Sequence, residues 1–305
     1  MLRPRSARFE FATRRRFLSL TATAGFCGFY GIANATEYLP FARPKPFRFS
    51  ASAPDIAEEV TPRAGVPTGI VFGDSIQKLI AAGVLDAAKF RGARKKLPDW
   101  VERVLTAPSN DPIMFSDLTS SYLVDLLWPL GLANKAAFNQ KSPINTPDIP
   151  GFASTGGWSS GRAANGYVYF NSVEAVRMSD HEQAMVLDVA THSFRPCCDN
   201  STFYQDCNHG SALLGLLELA ASQGSTRKGL YGIALIANSY WFPDNYVKTA
   251  LYFSHFHHAS WRRIPPDLIL GSDYSSLSGW EKNVSDRLAA ANITLPGQTR
   301  GQQAC

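Results

Sequence analysis

The segment from Asn208 to Ser222 constrains the fold more than any other part of the chain. Its leucines and alanines recur at helical spacing over a broad surface, and Glu218 is its only charged residue. Gly224 follows it, as is typical of a helix end. The segment therefore predicts an α-helix with a broad apolar surface, in a chain long enough to bury a sizeable core.

The rest of the globular part also favours helices. A second helix begins at a capping box formed by Ser179 and Glu182 and ends near Phe194, because Pro196 disfavours helical conformation at Arg195. A loop rich in proline, glycine and serine is predicted over residues 139–166, and a short strand over 167–170. We predict a mainly α fold, a single globular domain over residues 55–295. Helical spacing also occurs over residues 75–90, 100–105, 116–132, 228–240, 244–258 and 277–291.

The first 35 residues combine arginines, an apolar run and a cleavage motif. Arg14, Arg15 and Arg16 precede a run of small and apolar residues over 20–32, and Ala33-Asn34-Ala35 has the A-x-A form. This segment resembles a bacterial twin-arginine signal peptide. The resemblance implies recognition by the twin-arginine export machinery, a periplasmic or otherwise extracytoplasmic location, and a cargo that folds before export, often around a cofactor. The alternative is an uncleaved N-terminus, which would be the only membrane contact.

The segments that flank the globular part have the composition of extended chain. Prolines at positions 40, 44 and 46 predict an extended tether over residues 36–54. Residues 296–305 form a polar stretch that ends in Cys305 and predict a flexible tail.

The basic charge of the chain belongs to the export signal. The chain has 30 basic and 25 acidic residues, and residues 1–35 contain six of the arginines but only one acid, Glu10. After cleavage, the remaining 24 basic and 24 acidic residues balance. A balanced net charge gives no indication of the extended positive surface that binds a phosphate backbone, so nucleic acid is not an expected partner.

Cysteine and histidine residues are concentrated between positions 192 and 209. Cys197 and Cys198 are adjacent, and Cys207 and His209 lie at the start of the apolar helix, where backbone N–H groups and the helix dipole favour a thiolate. His192 lies in the last turn of the preceding helix, four residues after Asp188. Thiolate and imidazole ligands suit a transition metal such as zinc, copper or an iron–sulfur centre. We predict a metal site formed by Cys197, Cys198, Cys207 and His209, with His192 as a further ligand, in a redox, electron-transfer or metal-handling role.

Two other interpretations of the cluster stay open, because its spacing matches no standard zinc finger, haem attachment or Rieske motif. The cysteines can form a disulfide, Cys198–Cys207 or Cys197–Cys198, in a structural or thiol-redox role without metal. Alternatively, Cys207 can be the nucleophile of a hydrolase. In that case the base would be one of the downstream histidines His255, His257 and His258.

Overall fold

The computed structural model describes residues 53–94 and 96–294. The predicted signal peptide (1–35), most of the predicted tether (36–54) and the predicted tail (296–305) lie outside the described residues. Within them, the chain is mainly helical and has one small antiparallel sheet, so the predicted mainly α class is confirmed.

The strands are β1 (Val66–Gly73) and β2 (Ser109–Phe115). The α-helices are α1 (Ala53–Val60), α2 (Ser75–Ala81), α3 (Ala87–Gly92), α4 (Asp99–Thr106), α5 (Ser120–Ala133), α6 (Ala153–Gly156), α7 (Asp180–His192), α8 (Asn208–Ser222), α9 (Arg227–Trp241), α10 (Pro243–His257), α11 (Pro266–Leu270), α12 (Ser272–Ser275), α13 (Leu277–Trp280) and α14 (Asp286–Ala290).

Helix α8 lies in the core of the described residues. Every residue from His209 to Ala221 is buried, as its apolar composition requires. Helices α5, α7 and α9 pack against it and cover its surface. The residue that precedes α8 is Cys207, so the predicted site lies at one end of the central helix.

The backbones of α5 and α8 approach each other at two glycines. A Cβ atom at Gly131 would overlap the carbonyl oxygen of Ser211 and lie 2.6 Å from the nitrogen of Gly215. A Cβ atom at Gly215 would lie 2.6 Å from the nitrogen of Gly131. Because real Cβ atoms do not come this close, the contact between the two helices requires glycine at both positions.

Strands β1 and β2 form a two-stranded sheet that the sequence patterns did not predict. Val66 pairs with Phe115 and Gly73 with Ser109, and the register shifts between these pairs. The side chain of Gln223, just after α8, exchanges hydrogen bonds with the backbone of Val71, at 3.0 Å and 2.8 Å. The sheet is therefore attached to the C-terminal end of the central helix.

Among the local predictions, the capping box of α7 is confirmed, the segment with helical spacing over residues 75–90 forms two helices (α2 and α3), and the strand at residues 167–170 is wrong. Ser179 and Glu182 form the predicted capping box at the start of α7. The segment predicted as a strand at residues 167–170 is instead a 3-10 turn over Gly166–Tyr169, whose first free N–H is capped by the side chain of Asn165. This local side-chain hydrogen bond competes with strand pairing.

No helix in the described ranges has both the length and the hydrophobicity that crossing a lipid bilayer requires.

Substitution of Gly131 by alanine tests the α5–α8 contact. We expect Gly131→Ala to lower the free energy of unfolding by about 3 kcal/mol, because the added methyl group must push two backbones apart. Gly232→Ala, inside α9, is the matched control: nothing lies within 4 Å of the position that its Cβ atom would occupy. It should raise stability by about 0.5–1 kcal/mol through helix propensity. Denaturant unfolding of the reduced, metal-free chain measures both values, and equal effects would contradict the close approach.

The buried carboxyl group of Glu218 predicts a pH dependence of stability. Burial raises the pKa of Glu218 well above its ordinary value of 4.5, and the neighbouring amide of Asn134 only partly offsets the shift. Between the unfolded-state pKa of Glu218 and its raised folded-state pKa, folding takes up a proton. The folded chain is therefore most stable below the unfolded-state pKa, and it loses this stability as the pH rises through the folded-state pKa.

We expect Glu218→Gln to remove this loss, so that its stability relative to the wild-type chain grows from pH 5 to pH 8. Denaturant unfolding across this range measures the difference. Glu281→Gln, at an exposed position, controls for the loss of one acid. A wild-type minus Glu218→Gln difference that stays constant with pH would contradict the raised pKa.

Candidate metal centre

The candidate site is formed by residues 193–207, which connect α7 to α8 and are called the cysteine loop below. The loop folds back on itself: the N–H of Thr202 donates to the carbonyl of Ser193 at 2.8 Å, and Phe194 pairs with Ser201 as an antiparallel bridge. Pro196 follows, and the two adjacent cysteines lie at the far side of this turn.

Two other elements, α9 and α13, hold the cysteine loop from outside through three hydrogen bonds. The side-chain amide of Asn238, in α9, donates to the carbonyl of Phe194 at 3.0 Å. The N–H of Leu277, at the start of α13, donates to the carbonyl of Cys198 at 3.0 Å. The N–H of Ser278 donates to the carboxylate of Asp199 at 2.7 Å. The backbone on both sides of the cysteine pair is therefore positioned by tertiary contacts.

A fully buried arginine, Arg195, organises the inside of the cysteine loop. Its Nε donates to the sulfur of Cys207 at 3.2 Å. Its Nη atoms donate to the backbone carbonyls of Ser201 and Tyr204, at 3.0 Å and 3.2 Å, and to the carboxylate of Asp206 at 2.8 Å. One planar guanidinium thus ties together both ends of the loop.

The partners of Arg195 are themselves fixed. Asn200 accepts from an Nη of Arg195 at 3.0 Å and donates its own amide to the second carboxylate oxygen of Asp206 at 2.8 Å. Gly210, in the first turn of α8, leaves room for the guanidinium, because a Cβ there would lie 2.8 Å from one Nη atom. This requirement explains why a glycine occupies the start of the central helix.

The structure brings together the sulfur atoms of Cys197, Cys198 and Cys207. All three lie within 4.8 Å of one another, and those of Cys197 and Cys198 are 3.2 Å apart. Three sulfur ligands of one ion at metal–sulfur bonds of about 2.3 Å are separated by about 3.8 Å. Small side-chain movements therefore suffice to place a metal ion among the three sulfurs, and this group can hold one.

Cys207 is the N-cap residue of α8, a position that the sequence analysis did not assign to it. Its sulfur accepts a hydrogen bond from the N–H of Gly210 at 3.4 Å, in addition to the one from Arg195. Both donors stabilise negative charge on the sulfur. Cys207 is buried, whereas Cys197 and Cys198 are partly exposed, so the group opens to solvent on the side of the cysteine pair.

The three sulfurs and the guanidinium of Arg195 shift each other's pKa values. Hydrogen bonds to the sulfurs of Cys197 and then Cys207, together with burial, raise the pKa of the Cys198 thiol. Burial alone would lower the pKa of Arg195, but attraction to the sulfurs of Cys207, Cys198 and Cys197 outweighs it and raises that pKa. Arg195 is thus a permanent positive charge beside the three sulfurs.

The two histidines predicted as metal ligands make other contacts. The imidazole of His209 is buried and packs against the rings of Trp241 and Phe242, at centroid distances of 5.7 Å and 4.9 Å. The side chain of His192 is 64% exposed and its Nδ1 lies 3.3 Å from a carboxylate oxygen of Asp188. Neither belongs to the group of three close sulfurs. Metal binding by His209 and by His192 therefore stays a prediction.

The geometry bears on the two alternative interpretations, a disulfide and a nucleophilic Cys207, in different ways. The described cysteines, Cys197, Cys198 and Cys207, are free thiols, and Cys305 lies outside the described residues. In both hydrogen bonds described above, the sulfur of Cys207 is the acceptor, so neither partner is a base that could take up its proton. None of the histidines of the α10 end belongs to the group around this sulfur; His257 lies 3.2 Å from the hydroxyl of Tyr252.

Sequence reasoning missed the role of Arg195. It used this residue only as the helix end before Pro196. A signal was present, because an arginine beside a cysteine pair needs a counter-charge when the loop is buried, and Asp206 directly precedes Cys207. The pattern that would have identified the site is therefore Arg195 with Asp206, in addition to the thiols.

Comparison with known proteins gave no match: no family model, no curated protein and no solved structure is similar to this chain at a significant level.

Proposed function

We propose that this chain is an exported metal-binding protein, which holds a transition metal ion through the thiolates of Cys197, Cys198 and Cys207. One observation carries the proposal: three sulfur atoms of the cysteine loop, from residues up to ten positions apart, lie within 4.8 Å of one another. Sulfur ligands select zinc, copper(I) and iron–sulfur centres over magnesium or calcium. Export through the twin-arginine route is supported by the resemblance of residues 1–35 to its signals.

A role in metal handling fits the site better than a structural role. A structural zinc site is normally closed by four protein ligands, whereas the close group here supplies three. Two of them are partly exposed and can release an ion to solvent or to another protein. The third, Cys207, is fixed by Arg195 and by the start of α8. One rigid ligand and two accessible ligands suit an ion that is acquired and passed on.

Metal analysis of the exported protein tests the proposal. We expect about one zinc, copper or iron per chain in protein purified from its own periplasm. Cys198→Ser should reduce the affinity more than about 100-fold, because removal of a direct ligand costs more than loss of an outer partner of a ligand. Metal content is measured by plasma mass spectrometry, and affinity by competition with a chelator.

Cys305→Ser is the matched control, since it removes a thiol that is distant in sequence from the site. It should retain the full metal content. Cys207→Ser is analysed as well, with circular dichroism to verify folding, because Cys207 is buried. Metal-free wild-type protein, or equal metal content in Cys198→Ser and the wild type, would contradict the proposal.

A second candidate, thiol-redox activity without metal, is favoured by the two hydrogen bonds to the sulfur of Cys207. They stabilise its thiolate, and the sulfur of Cys198 lies close enough to act as a partner. The thiol of Cys198, which is more exposed and has a raised pKa, would pass its proton to the thiolate of Cys207 as its sulfur attacks a substrate disulfide, and the substrate thiolate that is released would take up that proton. The thiolate of Cys207 would then attack the mixed disulfide and release the second. The substrate gains two electrons and the protein keeps a Cys198–Cys207 disulfide.

Equilibration of metal-free protein with glutathione buffers separates the two candidates. Thiol-redox activity predicts a reversible Cys198–Cys207 disulfide with a potential above about −230 mV, in the range of exchange proteins. Metal binding predicts instead that one equivalent of the native ion keeps all three thiols reduced in the same buffers. Peptide mass mapping measures the disulfide, and formation of the disulfide at equal rates with and without metal would exclude the metal-handling role.

A further inference from the structure

A surface cavity with a strongly basic lining lies away from the cysteine loop. Its volume is about 520 Å³, which is within the range of small-molecule sites. Four basic side chains face it: Arg227 and Lys228 from the first turn of α9, and Arg262 and Arg263 from the segment before α11. The acid that lines it is Asp267. Cations from two distant segments therefore converge on one concave surface.

Three of these cations have no ion-pair partner among the described residues. Arg227 is held by the carboxylate of Asp188 at 2.5 Å, which fixes its guanidinium beside the cavity. The side chains of Lys228, Arg262 and Arg263 form no ion pair within the described ranges. The backbone N–H of Arg262, not its guanidinium, donates to a carboxylate, that of Glu59 at 3.3 Å. The cavity therefore holds more positive than negative charge.

The start of α9 adds to this positive potential. Arg227 and Lys228 are the first two residues of a helix of 15 residues, and no acidic residue lies in its first turn. Positive side chains at this end of a helix are unfavourable, because the dipole is already positive there. An anion bound here would offset this unfavourable interaction between the basic side chains and the helix dipole.

The lining of the cavity also includes apolar residues and the ring of Tyr231. Ile264 is buried, and Pro265 and Pro266 restrict the backbone next to it. A ligand that fits this lining carries an anionic group beside an apolar part. Guanidinium groups match the oxygens of a phosphate with paired hydrogen bonds, and a phosphate carries up to two charges, which suits several cations better than one carboxylate does.

We propose that this cavity binds a small phosphate monoester, whose phosphate group lies between Arg227, Lys228, Arg262 and Arg263. The cavity shares no residue with the group of Cys197, Cys198 and Cys207. Arg227 is 11 residues before Asn238, the residue of α9 that contacts the cysteine loop, which corresponds to about 16 Å along the helix. Binding here does not depend on the proposed metal function.

Calorimetric titration of the full chain with phenyl phosphate, a monoester with an apolar ring, tests the proposal. We expect saturable binding with one site per chain. Arg262→Gln/Arg263→Gln should weaken it at least about tenfold, and weaker binding at 0.5 M than at 0.05 M salt is also expected. Arg177→Gln is the matched control, because Arg177 is an exposed arginine paired with Glu174 outside the cavity. It should bind as the wild type does.

Phenylacetate, which has the same ring and a carboxylate, distinguishes the class of anion. We expect it to bind at least about tenfold more weakly than phenyl phosphate. No binding of phenyl phosphate at millimolar concentration, equal binding by Arg262→Gln/Arg263→Gln and Arg177→Gln, or tighter binding of phenylacetate would each overturn the proposal. The metal content of Arg262→Gln/Arg263→Gln should equal that of the wild type, so a loss of phosphate binding is distinguishable from a loss of the metal site.

Discussion

The buried guanidinium of Arg195 is the interaction on which the candidate site depends. A fully buried positive charge is tolerated only when anionic and polar partners surround it, because the loss of water around an ion costs several kcal/mol. Here the partners are the carboxylate of Asp206, the sulfur of Cys207 and backbone carbonyls of the same loop. The loop must therefore close around the arginine, and that closure places Cys207 beside the cysteine pair.

The same interaction gives the site its chemical character. A permanent positive charge beside Cys207 and an N–H group of α8 directed at the same sulfur favour a thiolate over a thiol. The most strongly stabilised sulfur is also the least accessible of the three. A small ion reaches such a sulfur more easily than a macromolecular substrate does. This difference in access is why we rank metal binding above thiol exchange and both above hydrolysis.

Much of the helical framework could be predicted from the sequence. The helix over Asn208–Ser222 has the predicted bounds, because apolar residues on nearly every side leave no other environment than the core. The capping box of α7 was also correctly predicted, since it depends on residues three positions apart. The pairing of β1 with β2 was not predicted, because it joins residues 66–73 to residues 109–115 with an irregular register. The 3-10 turn at Gly166–Tyr169 was mistaken for a strand because aromatic and β-branched residues are enriched in strands.

The sequence by itself determined the mainly α class, the burial of the central helix and the concentration of thiols near its start. These properties follow from local spacing and from hydrophobicity, which act over a few turns. Only the tertiary structure decided which of the clustered residues lie together. It brought the sulfurs of Cys197, Cys198 and Cys207 within 4.8 Å and placed the imidazole of His209 against Trp241. The physical reason is that the path of the cysteine loop is set by hydrogen bonds of one buried arginine and by contacts with α9 and α13, and neither follows from helical spacing or hydrophobicity.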